Sequence, residues 1–123
     1  MTKKIIPIVL LFLSFTSLAY ANEEYREKMR DLIREIRANT TNDRIIITQN
    51  GSEVYFKNGE PDQNFLPYVN GASQESLFYG EEGKLGKKTS NKERDSLLKN
   101  LIQIKSSGKT VLDVNYSKNK NNR

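Results

Sequence analysis

Residues 44–51 read Arg-Ile-Ile-Ile-Thr-Gln-Asn-Gly, and the fold class turns on how this run pairs. Three successive Ile with no polar alternation fit a short strand covered on both faces, as in a parallel sheet. Gln49-Asn50-Gly51 then stops the run with turn chemistry. An Asn-Gly pair can also close a two-residue hairpin, with Glu53-Val54-Tyr55-Phe56 as the returning strand. The parallel reading is preferred, because three adjacent Ile suit a half-exposed sheet poorly.

The flanking segments support this choice. Upstream, Tyr25, Met29, Leu32, Ile33 and Ile36 recur at helical spacing over residues 23–37 and predict a helix with one buried face. Glu23, Glu24 and Glu27 near its start and Arg34 and Arg37 near its end suit the helix dipole. Downstream, residues 57–64 read as loop, and Leu66-Pro67-Tyr68-Val69 leads to a weak strand at Asn70-Gly71-Ala72. Residues 74–80 (Gln-Glu-Ser-Leu-Phe-Tyr-Gly) form a compact run, and residues 81–89 read as an exposed loop. Ser90 and Glu93 have capping-box spacing, Leu97, Leu98, Leu101 and Ile102 repeat helically, and Gly108 stands where a C-terminal cap belongs. A last strand follows over residues 110–116. Helix, strand, irregular segment, weak strand, helix, strand is the alternation of an α/β fold with parallel strands.

Composition narrows the chemistry. The 123 residues contain no Cys, His or Trp and carry a formal charge of +5. Without Cys there is no disulfide framework or thiolate metal site. Without His, serine–histidine hydrolysis, zinc-protease chemistry and His-ligated haem are excluded. No phosphate loop, dinucleotide fingerprint or calcium loop is present, so neither a cofactor nor a metal is expected.

Residues 1–21 read as a secretory signal peptide. Lys3 and Lys4 precede an apolar run over residues 5–18, and Ala19-Tyr20-Ala21 is a small-x-small cleavage pattern. The run contains Pro7 and is shorter than the roughly 20 residues a spanning helix needs. Cleavage after Ala21 would give a secreted or periplasmic chain of residues 22–123, with no membrane attachment after processing. Its net charge of +3 is supplied by Lys118, Lys120 and Arg123. Residues 118–123 are expected to be a disordered basic tail, and no basic face with interleaved aromatics argues for nucleic acid.

In parallel α/β proteins, ligand-binding residues collect at the C-terminal edges of the strands. The candidates there are Gln49 and Asn50 after the first strand, Glu75 and Tyr79 after the weak strand, and Asn115 and Tyr116 at the last. One carboxylate, several amides and two phenols suit a sugar, since amides and carboxylates bind hydroxyls and aromatic faces cover a pyranose ring. Each has a plainer reading: Gln49 and Asn50 as turn residues, Glu75 as a helix cap, Tyr79 as core. Asp113 is either catalytic or a solvent-facing edge residue.

The segments Tyr-Arg-Glu-Lys-Met-Arg-Asp-Leu-Ile-Arg-Glu-Ile-Arg (25–37), Ile-Ile-Ile-Thr-Gln-Asn-Gly (45–51), Gly-Ala-Ser-Gln-Glu-Ser-Leu-Phe-Tyr-Gly (71–80) and Lys-Thr-Val-Leu-Asp-Val-Asn-Tyr (109–116) occur in that order. Together they resemble the second half of the glycoside hydrolase family 114 domain, the endo-α-1,4-polygalactosaminidase-like proteins. The resemblance implies part of a TIM-like barrel more than twice as long as residues 22–123. It also implies action on galactosamine-containing polysaccharide, and two acidic catalytic residues. Glu75 matches the Glu of a Glu-Asp-Leu-Phe-Tyr-like run, with Ser76 in place of the Asp. The partner Asp, in a Leu-Asp-Asn-like strand end, falls where this chain has its signal peptide, and Asn115 stands where the family commonly has Asp. Glycoside cleavage ordinarily uses a carboxyl pair.

The sequence therefore predicts a truncated, partial (β/α) TIM-barrel-like domain over residues 22–117, with Glu75 catalytic and Gln49, Asn50, Tyr79, Asn115 and Tyr116 binding substrate. It is expected to be inactive alone, with a partner chain or self-association needed to complete the barrel. The rivals are a non-catalytic exported carbohydrate-binding protein and an exported interaction domain built on Tyr55-Phe56 and Phe78-Tyr79.

Overall fold

The structure, a computed structural model, describes the backbone of residues 6–118 and the side chains of residues 22–118. The first five residues of the expected signal peptide, and the expected tail beyond Lys118, lie outside the described residues. Helix α1 (Ile6–Ala38) runs continuously through the expected cleavage point, so it begins upstream of the predicted residue 23. Among the described residues no helix is long and apolar enough to cross a membrane. Strand β1 (Ile47–Gln49), the short strands β2 (Phe56–Lys57) and β3 (Glu60–Pro61), strand β4 (Gly71–Glu75), helix α2 (Asn91–Ser106) and strand β5 (Thr110–Val114) follow.

The fold is mixed α/β. β1, β4 and β5 form a parallel three-stranded sheet in that spatial order. The weak strand of the sequence is thus its central member, and the Asn50-Gly51 hairpin alternative is not formed. Residues 52–55 make a turn of 3-10 helix instead of a returning strand. A different Asn-Gly pair makes the hairpin: Asn58 (φ 53°) and Gly59 (φ 81°) join β2 to β3 inside the segment read as loop. Two successive positive φ values are what a type I′ turn requires.

One core lies on one face of the sheet. Ala72 of β4 packs with Ile33 of α1, Tyr55, Phe65, Leu66 and Val69 of the intervening segment, and Ile104 of α2. The Tyr55 and Phe65 rings meet edge to face at 5.5 Å. The Tyr55 hydroxyl lies 2.8 Å from Thr48 Oγ and donates to the Gly71 carbonyl at 2.8 Å, so β1 and β4 are fixed by the same buried phenol. At Gly71 a Cβ would stand 2.4 Å from the Thr110 carbonyl, so only glycine lets β5 approach β4 this closely.

Helix α1 is anchored by a cation. Arg30, fully buried, donates to the carbonyls of Val54 and Phe56 and to Glu23 and Glu27 at 2.8 and 2.7 Å. Burial opposes its charge, and the two carboxylates hold it protonated. The predicted buried face of α1 is correspondingly different. Ile33 is buried, whereas Tyr25, Met29, Leu32 and Ile36 stay exposed.

The expectation that β1 is covered on both faces is likewise corrected. The three strands follow one another across the sheet in chain order, and right-handed crossovers then place every connection on the same side. Register puts Ile47, Leu112 and Val114 on the opposite, uncovered face, where they are 38–45% exposed. Among the described residues the sheet has two free edges and closes no barrel.

Candidate functional site

β1, β4 and β5 end side by side, and the residues at those ends meet. Asn50 turns away from β1 in a left-handed conformation (φ 59°), while its N–H still donates to the Ser73 carbonyl at 2.8 Å. That turn aims its amide at β4. Asn50 Oδ1 accepts from Glu75 N at 3.0 Å and from Gln74 Nε2 at 3.1 Å, and Nδ2 donates to Glu75 Oε2 at 3.4 Å. From the other side, the Tyr116 hydroxyl donates to Glu75 Oε1 at 2.7 Å. Glu75 thus bridges the outer strands from the end of the central one.

The loop after β4 holds Tyr116 in place. Ser76 (φ 55°) turns the chain, its N–H donating to the Val114 carbonyl and its hydroxyl to the Gly80 carbonyl. The Ser76 carbonyl accepts from Thr89 Oγ at 2.6 Å. Tyr116 N donates to the Tyr79 carbonyl, and the Tyr116 carbonyl accepts from Gly86 N. Gly80 lies at φ 113°, and a Cβ there would come within 2.8 Å of both Ser76 Oγ and Tyr116 Cδ2.

The hydrogen bonds set the charge. The Tyr116 phenol, then the Asn50 amide, with Gln49 adding a further bond, hold the Glu75 carboxyl below its ordinary range. The same contact with Glu75 raises the Tyr116 phenol. At neutral pH the site therefore presents an ionised carboxylate beside a protonated phenol. Such a carboxylate accepts hydrogen bonds or serves as a base, whereas a general acid needs a raised pKa.

The structure brings Asn50 and Tyr116 into hydrogen-bond contact with the Glu75 carboxylate, with Gln49 close enough to bear on it. Asn115 serves the loop rather than the carboxylate. Its Oδ1 accepts from the N–H groups of Phe78 and Tyr79 at 2.8 and 3.0 Å, and its Nδ2 donates to Asp113. It therefore fixes the segment that carries Tyr79, whose ring stays exposed about as much as that of Phe78. Asp113 pairs in register with Gln74, on the sheet face opposite Glu75. Among the described residues no second carboxylate shifts Glu75, and no group of acidic side chains could hold a metal ion.

Gln74 escapes the sequence reading. It is buried, and its amide supports Asn50 and the Glu75 carbonyl at 2.9 Å. The available signal is strand alternation: the residue before an outward Glu75 faces the core, and a buried amide must find partners. The Gln49–Gly51 turn also walls a cavity of about 310 Å3 shared with Met29, Leu32 and Ile36 of α1. A comparison with known protein families finds no family model that matches this chain, and a search of the curated proteins finds no match.

Proposed function

We propose that the chain is an exported, glycoside-hydrolase-like protein that carries half of a carbohydrate site: it binds polysaccharide at Glu75 and lacks the second acid that cleavage requires. The observation that carries this reading is the convergence of Glu75, Asn50 and Tyr116 at the C-terminal edge of a parallel sheet. Ligands of parallel α/β proteins gather at that edge. An ionised carboxylate flanked by an amide and a phenol offers the paired acceptors and donors that sugar hydroxyls use, and it attracts the ammonium of a deacetylated hexosamine. Tyr79 and Phe78, exposed on the adjoining loop, supply ring faces for the apolar side of the sugar.

Binding without cleavage is favoured by two features of the site. The Glu75 carboxyl is shifted downward, away from the range a leaving-group acid needs, and Asp113 belongs to the other face of the sheet. On this reading the chain is exported by residues 1–21 and acts outside the cytoplasm.

Titration with partially deacetylated polygalactosamine, followed by calorimetry and by release of reducing ends, tests the proposal. Binding is expected without turnover, weakened about tenfold by Glu75→Gln, the loss of about one charge-assisted hydrogen bond. Binding unchanged by that substitution removes the site. Turnover abolished by it makes the chain a complete enzyme and overturns the half-site reading.

A further inference from the structure

The sheet is finished on one face and unfinished on the other, and its two free edges differ in a matched way. Beside β1, the α1 residues Tyr25, Met29, Leu32 and Ile36 form a continuous apolar stripe, 45–70% exposed. That stripe and the end of β1 enclose the 310 Å3 cavity, which no β4 residue lines. At the far side, helix α2 turns Leu101 and Ile104 into the core and Asn100 toward Ser52. Leu98 and Ile102, one turn apart, consequently lie on the flank away from α1, and Ile102 is 60% exposed. Each edge thus ends in an open parallel strand with an apolar helix flank behind it.

Parallel sheets bury both faces, and each edge here has what the other lacks. A strand added in parallel to β1, with its own helix behind it, would cover the α1 stripe, and β5 with α2 is such a unit. Charge agrees with this pairing. Glu35 borders the α1 stripe and Lys105 borders the α2 flank, and neither makes a salt bridge among the described residues. On the uncovered face between the edges the strands carry a single charged side chain, Glu75, at the rim, so facing copies would bury no charge in the centre.

We propose that the chain associates head to tail with further copies of itself, β5 of one copy adding to the free edge of β1 of the next while Leu98 and Ile102 dock on the α1 stripe, until the sheet closes over its own uncovered face. Two copies would close six strands and three would close nine. The junction is heterologous, joining two different surfaces, and closes only as a ring. The inference rests on the edges of the sheet and holds whether or not Glu75 binds sugar.

Light scattering on the purified chain across the micromolar range tests it. The expected mass is two or three times that of one chain. Leu32→Glu and Ile102→Lys alter exposed positions, so each variant should keep the parent's circular dichroism and run as a monomer. Mixing the two variants should restore the assembly, because each supplies the surface the other has lost and the introduced charges are opposite where they meet. A monomeric parent chain overturns the proposal. So does assembly that survives either substitution, as it would if one surface paired with its own copy, or a mixture that stays monomeric.

Discussion

The Tyr116 hydroxyl donates to Glu75 Oε1 at 2.7 Å, tying the second residue after β5 to the last residue of β4 across 41 positions of chain. The contact is made at the rim, where both groups meet solvent, so its consequence is for charge more than for stability. With Tyr116→Phe, the Glu75 carboxyl should titrate closer to its ordinary value of 4.5, because its largest downward influence is gone. Carboxyl-carbon NMR of the two proteins checks this. An unmoved titration would show that Asn50 and Gln49 alone hold the carboxylate. Thermal stability should barely change, as is usual for exposed pairs.

Asn50→Ala tests the opposite support. Asn50 Oδ1 satisfies two donors, Glu75 N and the buried Gln74 amide, so its removal leaves Glu75 N and one of the two Gln74 N–H groups without an acceptor. A loss of about 1–3 kcal/mol is expected by chemical denaturation, together with a rise in the Glu75 titration. Asn50→Asp, which keeps the acceptor, should recover most of the stability and raise Glu75 further by like charge.

The sequence displays the parts of this molecule that local patterns determine. The Asn91–Ser106 helix starts on Ser90, whose Oγ accepts from Glu93 N as the capping-box spacing predicts. The reciprocal bond is altered, since Ser90 N donates to Glu81 Oε1 of the preceding loop. The positions of Gln49, Asn50 and Tyr116 at strand ends were legible because β1 and β5 are β-branched runs that stop at turn or polar residues, whereas Glu75 ends the weakly marked β4. The role of β4 was less visible, since Gly71, Ala72 and Ser73 carry almost no strand propensity, and Gly71 is there because β5 approaches too closely for a Cβ. The buried side of α1 was hidden for another reason. Periodicity assigns apolar residues inward, and here a buried Arg30 with four polar partners displaced the stripe to the surface.

Arg30→Ala should be among the most damaging single changes. It leaves Glu23 and Glu27 without their shared cation and the Val54 and Phe56 carbonyls without a donor, in a position closed to water. Breaking a fully buried ion pair from one side costs about 3–5 kcal/mol. Because Glu23 and Glu27 are about one-third exposed and keep other cations, a smaller loss of about 2–3 kcal/mol is expected. Arg30→Lys should recover only part, because an ammonium cannot span two carbonyls and two carboxylates in one plane. Urea denaturation of the three proteins would show it. A loss below about 1 kcal/mol for Arg30→Ala would mean that the α1 anchor lies elsewhere.

Gly71→Ala isolates the close approach of the strands. The added methyl would meet the Thr110 carbonyl, a backbone atom held by the β4–β5 ladder, and cannot swing clear as it could from a side-chain end. A destabilisation of about 1–3 kcal/mol is expected, the range for overpacking at a rigid site. Gly83→Ala, at a position with open space around it but positive φ, serves as the control for backbone strain alone.

The acidic partners of Arg30 also give the fold a pH dependence of fixed sign. Arg34, then Arg30 and Lys57, hold the Glu27 carboxyl at about 2, against burial that works the other way and an ordinary value of 4.5. A carboxyl whose pKa is depressed in the folded state adds stability that is complete above the unfolded value and is lost as pH falls through the folded one. Stability should therefore be level near neutrality and decline between about pH 5 and pH 2. Glu27→Gln should lower the plateau and flatten that decline, because its amide binds no proton over this range. Denaturation midpoints for the two proteins across the range decide the matter. Parallel curves would show that the acid sensitivity belongs to other carboxylates, with Glu81, held at about 2 by Ser90 N and Lys87, the next to substitute.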